Sequence, residues 1–152
     1  MRERPEPACS VPDLAHLQQA FLRRKVARAR RWMSGNVRLS KTVLLVDDLD
    51  ILRKMIRDFL KSLGIEVLEV SNATEAIHTA RSDTGTIDLL LTDVEMPGMS
   101  GWDLAPEIAG LKPGIRILYM SAAVSLQERD NYKQKPFRLE ELKALLMAIF
   151  SQ

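Results

Sequence analysis

From Thr42 onward the chain alternates short, wholly apolar runs with longer segments whose apolar residues recur at helical spacing. Val43 to Val46 form one such run, as a strand buried on both faces does, and it ends on Asp47 and Asp48. Ile51, Leu52, Met55, Ile56, Phe59, Leu60 and Leu63 then mark one face of a helix that Gly64 is placed to stop. Val67, Leu68 and Val70 predict a second strand, and Ala73, Ala76, Ile77 and Ala80 a short helix before the turn residues Ser82 to Gly85. The apolar run Ile87 to Leu91 predicts a third strand that leads into Asp93. Trp102, Leu104, Ala105 and Ile108 predict a third helix, with Pro106 tolerated if that helix starts close to it. Ile115, Ile117, Leu118 and Met120 predict a fourth strand, and Leu139, Leu142, Leu145, Leu146 and Ile149 a last amphipathic helix. Strands alternating with helices in this way predict an α/β fold around a parallel sheet.

One part of the alternation is short of residues. Ser125 to Gln134 leave room for one or two helical turns and a very short polar strand. A complete crossover between parallel strands takes at least about ten to twelve residues. The fourth helix is therefore expected to be shortened or absent.

Length and charge add an appendage to this picture. A chain of 152 residues suits one well-buried core rather than two ordinary domains. Residues 1–40 hold nine Lys or Arg against three Asp or Glu, whereas residues 41–152 hold thirteen against seventeen. The change of sign, with Ser34, Gly35 and Asn36 as turn-prone residues, divides a basic extension over 1–40 from a domain over 41–150. Residues 13–33 can be drawn as a helix, with Asp13 as its cap and Leu14, Leu17, Phe21 and Trp32 near one face. Six Lys or Arg crowd residues 23–31. Such a run suits nucleic acid phosphate, an acidic protein or an anionic membrane surface, and equally a solvated linker. The lone Cys9 excludes an internal disulfide and a cysteine metal site. No apolar run reaches the roughly eighteen residues of a membrane span, and the N-terminus lacks the order of a secretory signal, so a cytoplasmic protein is expected.

The chemistry lies where strands end. In an open parallel sheet, ligands bind beyond the carboxyl ends of the strands. Asp47 and Asp48 follow the first strand, Asp93 the third and Ser121 the fourth, and Lys135 follows the short fifth. Three crowded carboxylates need a cation, and oxygen donors favour Mg2+ over zinc or copper. Asp48 and Asp93 are the better direct ligands, with Asp47 binding directly or through water. Asp93 is then placed to act as a nucleophile toward a phosphoryl group, Lys135 to supply positive charge and Ser121 a hydrogen bond. The plainer alternative is that the Asp pair merely caps the following helix through Asp48 or Asp50.

The segments VLLVDDLDILRKMI at 43–56, LLLTDVEMPGMSGWDL at 89–104, ILYMSAA at 117–123 and KPF at 135–137 together resemble the response-regulator receiver domain of two-component signalling. The resemblance covers about residues 41–150. It implies a doubly wound, five-stranded (βα)5 fold in which Asp47 and Asp48 are the acidic pair, Asp93 is phosphorylated, and Ser121 and Lys135 bind the phosphoryl group. It also implies a third Mg2+ contact from the Glu95 carbonyl, an aromatic switch at Tyr132, and room for the phosphoryl group beside Ala122. The implied donor is a histidine kinase or a histidine phosphotransfer protein, and a homodimer is a further partner expectation. Two features depart from the family. Leu49 stands where an acidic residue commonly follows the pair, and the interval from Ser121 to Lys135 is short, on the side that many receivers use for dimerisation or output. A scaffold that has lost phosphorylation, and a magnesium-dependent phosphatase, are the competing functions.

Overall fold

The structure, a computed structural model, describes residues 40–122 and 131–152. The helix expected over 13–33, the basic run 23–31, and residues 125–130 of the irregular stretch lie outside the described residues.

Five strands, β1 Thr42–Val46, β2 Glu66–Val70, β3 Leu89–Asp93, β4 Arg116–Ser121 and β5 Tyr132–Gln134, form one sheet in the order β2-β1-β3-β4-β5. Every neighbouring pair is parallel. The described helices are α1 Asp50–Ser62, α2 Ala73–Ser82, α3 Gly101–Leu111 and α4 Leu139–Phe150. Side chains of β1 alternate between two cores. Val43 and Leu45 pack with Ile56 and Leu60 of α1 and Leu142 and Leu146 of α4. Leu44 and Val46 pack with Ala76 and Ala80 of α2 and Leu104 and Ile108 of α3. Both faces of the central strands are thus covered, which is why their sequences run continuously apolar. The chain leaves β1 for β2 on one side and returns to β3 on the other. That reversal opens a crevice at the carboxyl ends of β1 and β3.

Local signals set the helix ends. Gly64 takes φ 78° after α1, its N–H donates to the Lys61 carbonyl at 3.0 Å, and the Ile65 N–H donates to the Leu60 carbonyl at 3.1 Å. This left-handed stop needs glycine, and buried Ile65 and Leu60 close it with an apolar contact. At α2, the Asn72 side chain accepts from the Glu75 N–H at 2.9 Å, while the Glu75 carboxylate accepts from the Ser71 N–H.

Two expectations shift and a third holds. The third strand starts at Leu89, two residues later than its apolar run, because β1 fixes its register through Val43 opposite Leu89. Pro106 sits inside α3, five residues past its first residue, rather than in the first turn. The Ser100 side chain caps that helix by accepting from the Asp103 N–H at 3.2 Å, and the proline ring faces solvent. Finally, β4 and β5 are joined by ten residues, 122–131. Helix α2 alone uses ten, so no helix of that length fits between them with its turns. The fold is therefore the doubly wound (βα)5 arrangement with its fourth crossover helix shortened or absent.

Candidate functional site

The parallel register aligns the strand ends. Val46 lies opposite Thr92, Asp93 opposite Met120 and Ser121 opposite Gln134. Asp47, Asp93, Ser121 and Lys135, each the last residue of a strand or the first beyond one, therefore reach the same edge.

Asp47 is fully buried. Its Oδ1 accepts from the Leu49 N–H at 2.8 Å and its Oδ2 from Lys135 Nζ at 2.9 Å. The same ammonium lies 3.3 Å from Asp93 Oδ2. Asp93 is 4% exposed, and its Oδ1 accepts a long 3.4 Å hydrogen bond from the Glu95 N–H. Asp48 is exposed and has no hydrogen bond or ion pair among the described residues. One oxygen from each of Asp47, Asp48 and Asp93 falls within 4.8 Å of the others. Three carboxylates against one ammonium leave the cluster negative, and its donors are all oxygen. Those residues fit a hard divalent cation of the magnesium type. Burial pushes the Asp93 carboxyl above the ordinary carboxylate range; the Lys135 charge opposes that shift and the Asp47 charge adds to it.

Helix capping does not explain the acidic pair. The cap position of α1 is Leu49, which makes no side-chain cap bond, and Asp50 pairs instead with Arg53 and Lys54. The Glu95 side chain is exposed, so its contact with the cluster is through the backbone. Ser121 is buried, and its carbonyl accepts both the Lys135 N–H at 2.8 Å and the Tyr132 hydroxyl at 3.0 Å. Tyr132 is buried as well, and lies opposite Tyr119 in the β4–β5 register. Tyr119 in turn meets the Trp102 ring at 4.1 Å. The aromatic residue expected to move inward thus already stands inside. Lys135 and Pro136 are joined by a cis peptide bond.

Three contributors escape a reading of the sequence. A Cβ built on Gly101 would come within 2.2 Å of the Asp93 carbonyl oxygen, so the start of α3 rests directly on the Asp93 backbone. The buried Thr92 hydroxyl donates to that same carbonyl at 2.9 Å. Arg53 Nη1 donates to the Asp47 carbonyl at 2.8 Å. The last glycine of MPGMSG was a visible hint of the first; a threonine in a strand and an arginine on a helix announce nothing.

Known proteins resemble this chain. The DNA-binding transcriptional regulator NtrC of Azospirillum brasilense is 37% identical over 113 residues, 69% of this chain and 23% of the regulator. The autoinducer 1 sensor kinase/phosphatase LuxN of Vibrio harveyi is 32% identical over 114 residues, 70% of this chain and 13% of the kinase. The chain thus spans less than a quarter of the length of either relative. Among solved structures, the receiver domain of the hybrid histidine kinase CckA aligns with TM-score 0.64 and 30% identity, covering 71% of this chain and 97% of that one. The response regulator TrrA of Thermotoga maritima, in complex with Mg(2+)-BeF, aligns with TM-score 0.62 and 32% identity, covering 72% of this chain and 98% of its own. Residues 43–146 match the response regulator receiver domain model, and the acidic edge lies within that span. The chain belongs to the response regulator receiver family, whose members are phosphoacceptor signalling domains.

Proposed function

We propose that residues 41–150 form the receiver unit, that Asp93 accepts a phosphoryl group from a phosphohistidine, and that residues 1–40 are a basic extension outside that unit. The observation that carries this reading is one ammonium, Lys135 Nζ, held between Asp47 and Asp93 beside the exposed carboxylate of Asp48. In the transfer, an Asp93 carboxylate oxygen attacks phosphorus, the phosphorus–nitrogen bond breaks, and its electron pair returns to the donor imidazole. Lys135 follows the incoming negative charge, exchanging its pairing with Asp93 for the phosphoryl oxygens. The Ser121 hydroxyl donates to one of those oxygens. Asp48, Asp93 and Asp47, with the Glu95 carbonyl, would hold magnesium. Bound there, Mg2+ supplies neutralisation of the transferring oxygens. Any catalysis is confined to the gain and loss of the domain's own phosphoryl group.

Tyr132 acts as the switch through the carbonyl it shares with Lys135. When Ser121 turns toward a phosphoryl group, its carbonyl shifts, and the Tyr132 hydroxyl bound to it follows. The donor is a histidine kinase or a histidine phosphotransfer protein. Support for its docking comes from α1. Leu49, Ile51 and Met55 are 56, 86 and 45% exposed and line one recess with Leu52. A neighbouring recess of about 300 Å3 is lined by Leu52, Met55, Ala122, Lys135, Pro136 and Phe137, so the apolar surface reaches the site lysine. A contiguous apolar patch of that kind suits the apolar face of a partner helix. No helix among the described residues is long and apolar enough to cross a membrane, and a cytoplasmic setting is part of this reading. A scaffold function finds its support in the ten-residue β4–β5 connection, which trims the output side.

Fluorine NMR with magnesium and beryllofluoride, a mimic of the phosphoryl group, tests the site. A bound signal that requires Mg2+ and vanishes in Asp93→Asn is expected. Absence of any bound signal in the unaltered protein would favour the scaffold.

A further inference from the structure

Arg53 stands in the first turns of α1 with only 13% of its side chain exposed, although arginine ordinarily reaches into water. Each nitrogen of its fork faces an oxygen. Nη1 donates to the Asp47 carbonyl at 2.8 Å, Nη2 donates to Asp50 Oδ1 at 2.6 Å, and Nε lies 3.8 Å from Glu69 Oε2. That Glu69 oxygen is buried and has no hydrogen-bond partner, while the other oxygen of the same carboxylate accepts from Arg57 Nη1 at 2.7 Å, so Arg53 and Arg57 balance its charge together. Carboxylates of α1 and β2 therefore fix the arginine, and the arginine fixes one backbone carbonyl.

The identity of that carbonyl gives the contact its meaning. A peptide unit is planar, so holding the Asp47 carbonyl sets the whole plane and places the Cα of Asp48. Asp48 needs such placement. Its carboxylate is exposed and makes no bond of its own among the described residues, whereas Asp47 is held by Lys135 and by the Leu49 N–H. The usual anchor of this turn, a capping side chain at the start of α1, is also missing. We infer that Arg53 is a positioning residue for the acidic site: by clamping the peptide between Asp47 and Asp48, it aims the exposed Asp48 carboxylate at the cation that Asp48 shares with Asp93. This inference rests on the proposal that the acidic cluster binds a divalent cation.

The sign of one measurement separates positioning from simple charge. Removing a positive group beside an acidic cluster tightens cation binding by Coulomb attraction alone. Loss of a positioning contact weakens it, and partners that orient metal ligands typically affect affinity by about 10- to 100-fold. The full chain and its Arg53→Met, Arg53→Lys and Asp48→Asn variants are titrated with MgCl2 by calorimetry at fixed ionic strength, with melting followed by circular dichroism in the absence of metal. Methionine keeps the packed stem and loses both charge and donors; lysine keeps the charge and one donor. The expected result is Mg2+ binding weakened about tenfold in Arg53→Met, less in Arg53→Lys, and most in Asp48→Asn, with both Arg53 variants folded. Equal or tighter binding in Arg53→Met, or in Arg53→Lys if the methionine variant does not fold, overturns the positioning role while leaving the cation site standing. An unaltered protein that binds no Mg2+ overturns the cation site itself, and the role of Arg53 with it.

Discussion

Lys135 Nζ sits 2.9 Å from Asp47 and 3.3 Å from Asp93, and this shared charge lets two buried carboxylates coexist at one strand edge. The backbone beneath them is equally constrained. Gly101 leaves no room for a side chain against the Asp93 carbonyl, so Gly101→Ala must push α3 or the end of β3 aside. Overpacking of that kind costs about 1–3 kcal/mol, and we expect the loss as a lower urea midpoint together with slower phosphoryl uptake. An unchanged midpoint would show that the contact carries no load. Asp47, Asp48, Asp93, Ser121 and Lys135 were legible in the sequence because each ends or follows a strand that the sequence marks. Gly101, Thr92 and Arg53 were not, because their roles rest on close approaches to backbone carbonyls. Residue type does not encode such approaches.

The elements that deliver those residues are tied together at the opposite end of the sheet. The Asp88 carboxylate accepts from Lys41 Nζ at 2.8 Å and from the Thr42 N–H at 2.9 Å, and the Asp88 carbonyl accepts from the Arg116 N–H at 3.1 Å. One residue thus aligns the starts of β1, β3 and β4. Burial alone would raise its carboxyl, but the Lys41 and Thr42 hydrogen bonds and the charges of Lys41 and Arg116 outweigh burial and hold it below the ordinary range. A carboxyl depressed in the folded state stabilises the fold above the unfolded-state pKa of about 4, and that contribution disappears as pH falls through the lower folded value. Asp88→Ala should therefore cost about 1–2 kcal/mol near neutral pH, and the gap from the unaltered protein should narrow in acid, as urea unfolding at both conditions would record. A penalty independent of pH would mean that the ion pair contributes nothing. At this scale the sequence revealed the order of elements and the stop at Gly64, yet misplaced the start of β3 by two residues. Apolar runs mark burial, and Ile87 is buried before the ladder begins. Pairing with β1 decides where the strand starts.

At the scale of the whole sheet, the acidic site and the α1 patch proposed to dock a partner meet at one edge, and β5 is the border strand beside β4. The exposed apolar face of α1 makes a separable prediction. Ile51→Glu places a charge in the middle of the patch without touching the acidic cluster, and should slow transfer from a phosphohistidine donor at least about tenfold, the effect of roughly 1.4 kcal/mol. Uptake from a small phosphodonor should be spared, and equal slowing with both donors would show that the patch does not dock the donor. The shortened crossover was legible from chain length alone, because ten residues cannot hold a helix as long as α2 together with its turns. The occupant of the α1 face was not, because exposed apolar residues take their meaning from how they cluster in space. All of this chemistry depends on Asp93 being the phosphoacceptor, as proposed. Its most direct test incubates the full chain with Mg2+ and acetyl phosphate, quenches in acid, and locates the added mass by peptide mapping. One labile phosphoryl group on Asp93 is expected, absent in Asp93→Asn and absent when magnesium is chelated. An unmodified Asp93, or a modification that survives in Asp93→Asn, would contradict it.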